Sequence, residues 1–122
     1  PGRAVRLLRA QALMRTGQAG EAASQLGTWV GDHALDATAW QALAQAERAQ
    51  GQMLRALRAE GEAPMAQLDY AGAVDRWRAA QDWARQHPVG SAELIEVSIV
   101  DARLRQAQAL LHQQREDDKK FR

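Results

Sequence analysis

The sequence predicts an all-α chain of about six antiparallel helices stacked as an α-solenoid, with a long C-terminal helix capping the stack. The 122 residues are dominated by strong helix formers, namely Ala, Gln, Arg, Leu and Glu. The β-branched residues cluster mainly near Ile95 to Val100. Apolar residues recur at steps of three and four, which indicates amphipathic helices. The Gly-Gln step at Gly17 recurs at Gly51, 34 positions later, and this is the period of a helix-turn-helix repeat.

The first predicted helix pair surrounds the first Gly-Gln step. Helix 1 is expected at about Arg3 to Thr16, with Gly17 as its C-terminal stop. The second helix is expected to end at Gly31 and Asp32, because two helix-breaking or helix-capping residues follow its apolar stripe there. Four apolar residues of this helix share one face: Ala22, Leu26, Trp29 and Val30.

The second predicted pair has the same plan. Asp36 is expected as the N-cap of the third helix, which stops at Gly51. Helix 4 begins near Gln52, but Gly61 and Pro64 lie in its later half, and proline removes one backbone hydrogen bond and clashes with the preceding turn. A kink or break is therefore expected there. The residues that follow Asp36 in helix 3 are Ala39, Trp40, Leu43, Ala44 and Glu47.

Two further helices complete the chain. Helix 5 lies in "DYAGAVDRWRAAQDWARQHP" and is expected to end at His87-Pro88, and Ser91 is expected to cap helix 6. The repeat domain is placed at residues 1–116 and a frayed, charged tail at residues 117–122. The residues expected on the buried side of helix 6 are Leu94, Ile95, Val97, Ser98, Val100, Leu104, Ala107, Leu110 and Leu111.

Composition argues against several classes of function. The charges of the 16 basic and 15 acidic residues nearly cancel, so no nucleic-acid partner is predicted. The sequence has no long apolar run, so no direct membrane insertion is predicted either. With no cysteine and with His33, His87 and His112 in separate elements, we predict no metal site and no cofactor. The chain opens "PGRAVRLL" without an initiator Met, so it is expected to be a piece of a longer protein.

No catalytic residue is predicted either. Glu60 and Glu62 are two positions apart and therefore point to different sides of a helix, so they are expected to be solvated charges rather than an acid-base pair. Neither a Gly-x-Ser-x-Gly elbow nor a glycine-rich phosphate loop occurs in the sequence. We expect that this chain alone is not an enzyme.

The helix pairs resemble tetratricopeptide repeats, which alternate small and large apolar residues around a glycine turn. Two departures stand out: Glu60 replaces a large apolar residue, and Ala73 follows Ala56 by only 17 positions. Helix 4 is therefore expected to serve as the second helix of one repeat and the first of the next. The matched positions are Ala10, Leu13, Gly17, Ala22 and Leu26 in the first repeat, and Trp40, Leu43, Ala44, Gly51 and Ala56 in the second.

The uneven repeats are also similar to the C-terminal repeat region of bacterial envelope zinc metalloproteases, including those that assist β-barrel assembly. The matching elements are Ala59-Glu60, Asp69-Tyr70, Ala73-Val74-Trp77 and Asp101-Ala102-Arg103-Leu104. The resemblance implies a parent with an H-E-x-x-H catalytic domain and a periplasmic or outer-membrane location. This chain would be its non-catalytic arm, which docks on the protease domain or binds substrates and outer-membrane assembly proteins. The alternative is a free-standing repeat adaptor unrelated to proteolysis.

In tetratricopeptide repeats the first helix of each pair lines the concave face, so the resemblance implies which residues contact a protein or peptide partner. Trp83 is expected as an exposed aromatic residue, whereas Trp40 and Trp77 are expected in the core. A hydrated face without a bound peptide, and self-association through helix 6, are the alternatives. The expected concave residues are Gln11, Met14, Arg15, Gln41, Gln45 and Arg48.

Overall fold

A computed structural model describes residues 2–121 of the chain as six α-helices joined by short turns. Each helix packs against the next one in the chain, and α4 also contacts α6 while α1 contacts α3. The predicted all-α, solenoid-like fold is therefore confirmed. The helices are α1 (Arg3–Arg15), α2 (Ala19–Asp32), α3 (Ala37–Ala49), α4 (Met53–Ala66), α5 (Tyr70–Gln86) and α6 (Ser91–Lys120).

Three of the turns share one backbone geometry. Gly17, Gly51 and Leu68 follow the ends of α1, α3 and α4 with positive φ angles of 75°, 73° and 63°. In each turn the next residue closes a Schellman motif, because its N–H reaches back five residues to a carbonyl oxygen. The turn after α4 thus has the same backbone geometry as the turns after α1 and α3, which are the first helices of the two predicted pairs. The closing bonds are Gln18 N to Leu13 O at 2.8 Å, Gln52 N to Glu47 O at 2.9 Å and Asp69 N to Pro64 O at 2.9 Å.

The two remaining turns, which follow α2 and α5, each begin with a histidine that stacks on a tryptophan of the preceding helix. Trp29 of α2 stacks on His33 with ring centroids 3.6 Å apart, and Trp83 of α5 stacks on His87 at 4.2 Å. Each histidine Nδ1–H donates to the carbonyl oxygen of its tryptophan, at 3.1 Å and 2.9 Å respectively. The His87 side chain thus supplies a donor for a carbonyl group in the last turn of α5, whereas the Trp29 carbonyl also accepts from His33 N at 2.9 Å.

The core consists of three clusters along the stack. Trp77 is fully buried and Trp40 is 8% exposed, which confirms their predicted core positions. Small residues dominate the helix contacts, so the helices approach closely. The buried members are Ala10, Ala22, Ala23, Leu26 and Ala46 around α1 to α3, then Val30, Ala39, Trp40, Ala44, Ala59 and Ala63 around α2 to α4, and finally Leu54, Met65, Ala73, Val74, Trp77, Ala80, Val100, Leu104 and Ala107 around α4 to α6.

The predicted break in helix 4 does not occur, since α4 is continuous from Met53 to Ala66 with Pro64 in its last turn. Gly61 has a packing role in this helix. A Cβ atom at Gly61 would overlap the indole of Trp77, whose Nε1–H donates to the Arg58 carbonyl oxygen at 3.0 Å. The missing side chain therefore lets the tryptophan lie against the backbone of α4.

Two expectations for helix 6 are wrong. Gly90 is the N-cap rather than Ser91, with the Glu93 carboxylate accepting from Gly90 N at 3.3 Å. Leu94 and Ile95 are 57% and 64% exposed, and Ser98 is exposed too. The buried stripe runs through Val97, Val100, Leu104 and Ala107, and its three-and-four steps extend back to Glu93 rather than to Leu94 or Ile95.

The C-terminal end is helical beyond the boundary that the sequence suggests. α6 continues to Lys120, so residues 117–120 belong to the helix. Lys119 pairs with Glu116 at 3.2 Å across one turn, and Lys120 lies 3.9 Å from Asp117. Such pairs favour a helix at its C-terminus, where lysines also face the negative end of the helix dipole.

Candidate functional site

The candidate site is a groove of about 440 Å³ on one face of the stack, referred to below as the concave groove. α3 forms one wall, α4 the floor and the start of α5 the other wall. The lining residues are Gln41, Ala44, Gln45, Arg48, Glu60, Ala63, Pro64, Gln67, Asp69, Gly72 and Arg76.

The α3 wall follows from helix geometry. Gln41, Gln45 and Arg48 are spaced by four and three residues, which places them on one side of the helix. The opposite side of α3 carries Trp40 and Leu43, which pack in the core. Burial of the apolar side therefore turns the predicted polar residues into the groove.

Glutamine side chains supply most of the uncommitted polar groups. Three exposed glutamines line the groove: Gln41, Gln45 and Gln67. Their side-chain amides make no hydrogen bond to any of residues 2–121. Each amide offers two donors and one acceptor oxygen. This is the complement of a peptide backbone, which presents both N–H and C=O groups along its length.

Charges in the groove are partly neutralised within the chain. Arg48 pairs with Glu60 and also lies 3.3 Å from the Met53 sulfur, so its guanidinium group is held against α4. Asp69 caps α5 by accepting from Gly72 N at 3.0 Å. Arg76 is exposed and has no carboxylate within ion-pair distance among the described residues. Arg76 is thus the groove cation that is available to an anionic group.

The three predicted residues of helix 1 do not join this groove. Gln11 and Arg15 are exposed on α1, while Met14 is half-buried and packs against the first core cluster. They lie apart because α5, rather than α1, forms the second wall. The predicted α3 residues are brought together, but the α1 residues stay at the end of the stack.

The sequence analysis did not single out Gln67 or Arg76 as groove residues. A signal for them was present in the short spacing between Ala56 and Ala73, which predicted that α5 follows α4 without an intervening helix, and α5 does pack directly on α4. The start of α5 then faces α3 across α4.

Trp83 is half-buried rather than freely exposed. Its ring packs against the core cluster between α5 and α6 and stacks on His87. The exposed large apolar side chains of the described chain lie elsewhere: Val5, Leu8, Leu35, Leu68, Leu94, Ile95 and Phe121.

Glu62 also differs from its expected role as a solvated charge. Its side chain is 9% exposed and forms an ion pair with Arg103 of α6 at 2.7 Å. The partner lies 41 positions along the chain, so helix spacing alone gives no sign of it. Glu62 is a buried structural group that joins α4 to α6.

The strongest electrostatic perturbation lies away from the groove, at the start of α3. Hydrogen bonds from Arg3, at 2.7 and 3.1 Å, hold the pKa of the Asp36 carboxyl well below its ordinary value, although burial opposes this shift. Trp29 Nε1 and Ala39 N also donate to it, at 3.0 and 3.1 Å. The same contact raises the pKa of Arg3. Asp36 is therefore the predicted N-cap and also ties α1 and α2 to α3.

Comparisons with known proteins add no family to this description. No family model matches the chain, and no curated protein matches it at a significant level. Within residues 2–121, no helix is both long and apolar enough to cross a membrane, and no three His, Asp or Glu side chains are grouped to hold a metal ion.

Proposed function

We propose that the chain is a non-catalytic protein-interaction module whose concave groove binds an extended peptide segment of a partner protein. The main support is the set of three glutamine amides that have no hydrogen-bond partner among residues 2–121 and that surround a groove of about 440 Å³. Amides at this spacing suit backbone recognition, because they bind N–H and C=O groups whatever the peptide sequence.

Arg76 gives the proposed peptide a charge preference. Its guanidinium group has no ion-pair partner among residues 2–121, whereas Arg48 is occupied by Glu60. Arginine binds a carboxylate through two parallel hydrogen bonds. The peptide is therefore expected to carry an Asp, a Glu or a free C-terminus near the α5 side of the groove.

The resemblance to envelope metalloproteases supplies a biological setting for the same module. In this setting it is a tetratricopeptide-like arm of a periplasmic zinc protease, and it binds the protease domain, substrates or outer-membrane assembly proteins. The shared Schellman turns of α1, α3 and α4 are consistent with such repeats. The reading frame on either side of this segment tests the setting: an H-E-x-x-H domain in frame supports it, and its absence favours the free-standing adaptor.

Selection from a random peptide library tests the binding function. The immobilised domain is used to enrich peptides, and their affinity is measured by fluorescence anisotropy with wild type and with Gln45→Ala plus Arg76→Glu. The double variant is expected to bind about tenfold more weakly or worse. Arg105→Glu is the matched control, because Arg105 is exposed on α6 and does not line the groove. Equal loss in the control, or no loss in the double variant, contradicts the proposal.

A further inference from the structure

Glu47 of α3 carries a buried carboxylate, and this residue does not line the concave groove. Glu47 is 8% exposed, although the 34-residue repeat aligns it with Leu13, which packs in the first core cluster. The second repeat thus has a charged side chain where the first has leucine. Burial of a carboxylate is unfavourable unless a partner compensates it, and a local departure of this kind often marks a functional position.

The Glu47 carboxylate has no such partner in the described part of the chain. It accepts no hydrogen bond there, and its Oε2 atom is shielded from solvent. Burial raises the pKa of Glu47, nearby Arg55 opposes this, and Glu96 adds to it. The carboxylate therefore gains free energy from any cation that reaches it.

Two adjoining cavities of about 190 and 450 Å³ lead to Glu47. They share Ala23, Gly27, Glu47 and Arg55, and together they are called the α2–α4 groove below. No side chain on the α2 wall is larger than threonine, so a slender occupant can approach the helix backbone. The α2 residues are Gly20, Ala23, Ser24, Gly27 and Thr28.

The cations beside the groove pair with Glu96 of α6 rather than with Glu47. Arg58 Nη1 lies 3.0 Å from Glu96 Oε2, and Arg55 Nε lies 3.9 Å from Glu96 Oε1. Glu96 of α6 therefore receives both guanidinium groups from α4, and the Glu47 carboxylate has no direct partner in the part of the chain that the structure describes. The α2 wall contributes no charged residue.

We propose that the α2–α4 groove binds the alkylammonium group of a lysine side chain from a polypeptide partner, with Glu47 as its counterion. An ammonium group is a compact charge with three donors on a thin aliphatic stem, and this stem fits beside Gly27 and Leu43. The site shares no lining residue with the concave groove, so it does not depend on the function proposed above.

Three probes distinguish the source of the ammonium group. The pentapeptide acetyl-Ala-Ala-Lys-Ala-Ala-amide is titrated into the isotope-labelled protein, beside its norleucine analogue and free spermidine. NMR follows the side-chain carboxyl carbon of Glu47 and the amides of Gly20 and Gly27. The lysine peptide is expected to shift all three signals with saturation, and the norleucine peptide is not. Equal shifts with both peptides, shifts with spermidine alone, or none with any probe overturn the proposal.

Two substitutions separate binding from folding. Glu47→Gln keeps the shape of the side chain, and Glu47→Leu restores the residue found in the first repeat; both are expected to weaken lysine-peptide binding about tenfold or more. Thermal unfolding shows that each variant remains folded. Glu60→Gln in the concave groove is the control and is expected to bind the peptide like wild type. Unchanged binding in the folded Glu47→Gln variant overturns the assignment.

Discussion

Arg103 of α6 binds Glu62 of α4 through two parallel hydrogen bonds, with Nε 2.9 Å from Oε2 and Nη2 2.7 Å from Oε1. The carboxylate is almost completely buried, and the guanidinium group also lies 5.4 Å from the ring centre of Trp77. The ion pair thus joins two helices that are not consecutive, at the point where the buried tryptophan fills the core.

Removing one member of this pair is expected to destabilise the fold. Arg103→Ala leaves the Glu62 carboxylate buried without its cation, so the free energy of unfolding should fall by about 3 kcal/mol. The double variant Glu62→Met plus Arg103→Met leaves no unpaired charge and should recover most of that loss. Urea unfolding at neutral pH measures both. A fall of less than about 0.5 kcal/mol for Arg103→Ala would show that the pair behaves like an exposed one.

Gly61→Ala is expected to destabilise the protein although alanine favours helices. The added methyl group overlaps the Trp77 indole, and overpacking of this kind costs about 2 kcal/mol. Gly27→Ala in the middle of α2 is the matched control, because no atom lies within 4 Å of the added Cβ. It should stabilise the protein by up to about 1 kcal/mol. Thermal and urea unfolding compare the two variants, and a stabilising Gly61→Ala contradicts the packing role.

Leu68→Gly is expected to stabilise the protein. Leu68 has φ of 63°, a left-handed conformation that costs an L-residue about 1 kcal/mol or more, and its side chain is 64% exposed. Glycine adopts this conformation freely, as Gly17 and Gly51 do in the matching turns. The reverse change, Gly51→Leu, should destabilise by a similar amount. Equal unfolding free energies for wild type and Leu68→Gly would show that the turn is unstrained.

Asp36 should make the protein less stable in acid. Its pKa is lower in the folded chain than its ordinary value of 3.8, chiefly through Arg3, so folding favours the charged form. The stabilisation is complete above about pH 5 and is lost as the pH falls below that value. Asp36→Asn keeps a capping oxygen but not the charge, so it should lower stability at pH 7 by about 1 kcal/mol. Urea unfolding between neutral and acid pH should show the two proteins converging; parallel curves contradict this assignment.

Glu47 should make the protein less stable as the pH rises, which is the opposite of the effect of Asp36. Burial raises its pKa, so the folded chain holds the proton more tightly than the unfolded one. Its contribution to stability is therefore present below its ordinary pKa of 4.5 and is lost as the pH rises through the raised value. Glu47→Leu removes this loss and should raise stability at pH 7 by about 1 to 2 kcal/mol. A folded variant that is less stable than wild type would contradict this account of the burial.

The helices and two of the turns could be predicted from the sequence because their causes are local. Gly17 and Gly51 supply the positive φ that a Schellman turn needs, and Asp36 has the short acceptor that an N-cap needs. Leu68 makes the same turn without the glycine that signals it.

The parts that sequence analysis missed depend on contacts between distant positions. Glu62 is recognisable as a buried residue only when Arg103 is placed beside it, and Arg76 faces the groove only because α5 stacks on α4. Leu94 and Ile95 are apolar, yet the stripe that α6 buries runs along another side of the helix, through Val97, Val100 and Leu104. Helix periodicity identifies a face but does not say where a neighbouring helix covers it.

Side-chain amide signals provide the decisive test of peptide binding in the concave groove. A library-selected peptide is titrated into the labelled protein, and NMR follows the NH₂ groups of Gln41, Gln45 and Gln67, with Gln113 on the exposed part of α6 as the internal reference. The three groove amides are expected to shift together and saturate, while Gln113 stays unchanged. Saturable binding that leaves all three groove amides unmoved would contradict the proposed role of this groove.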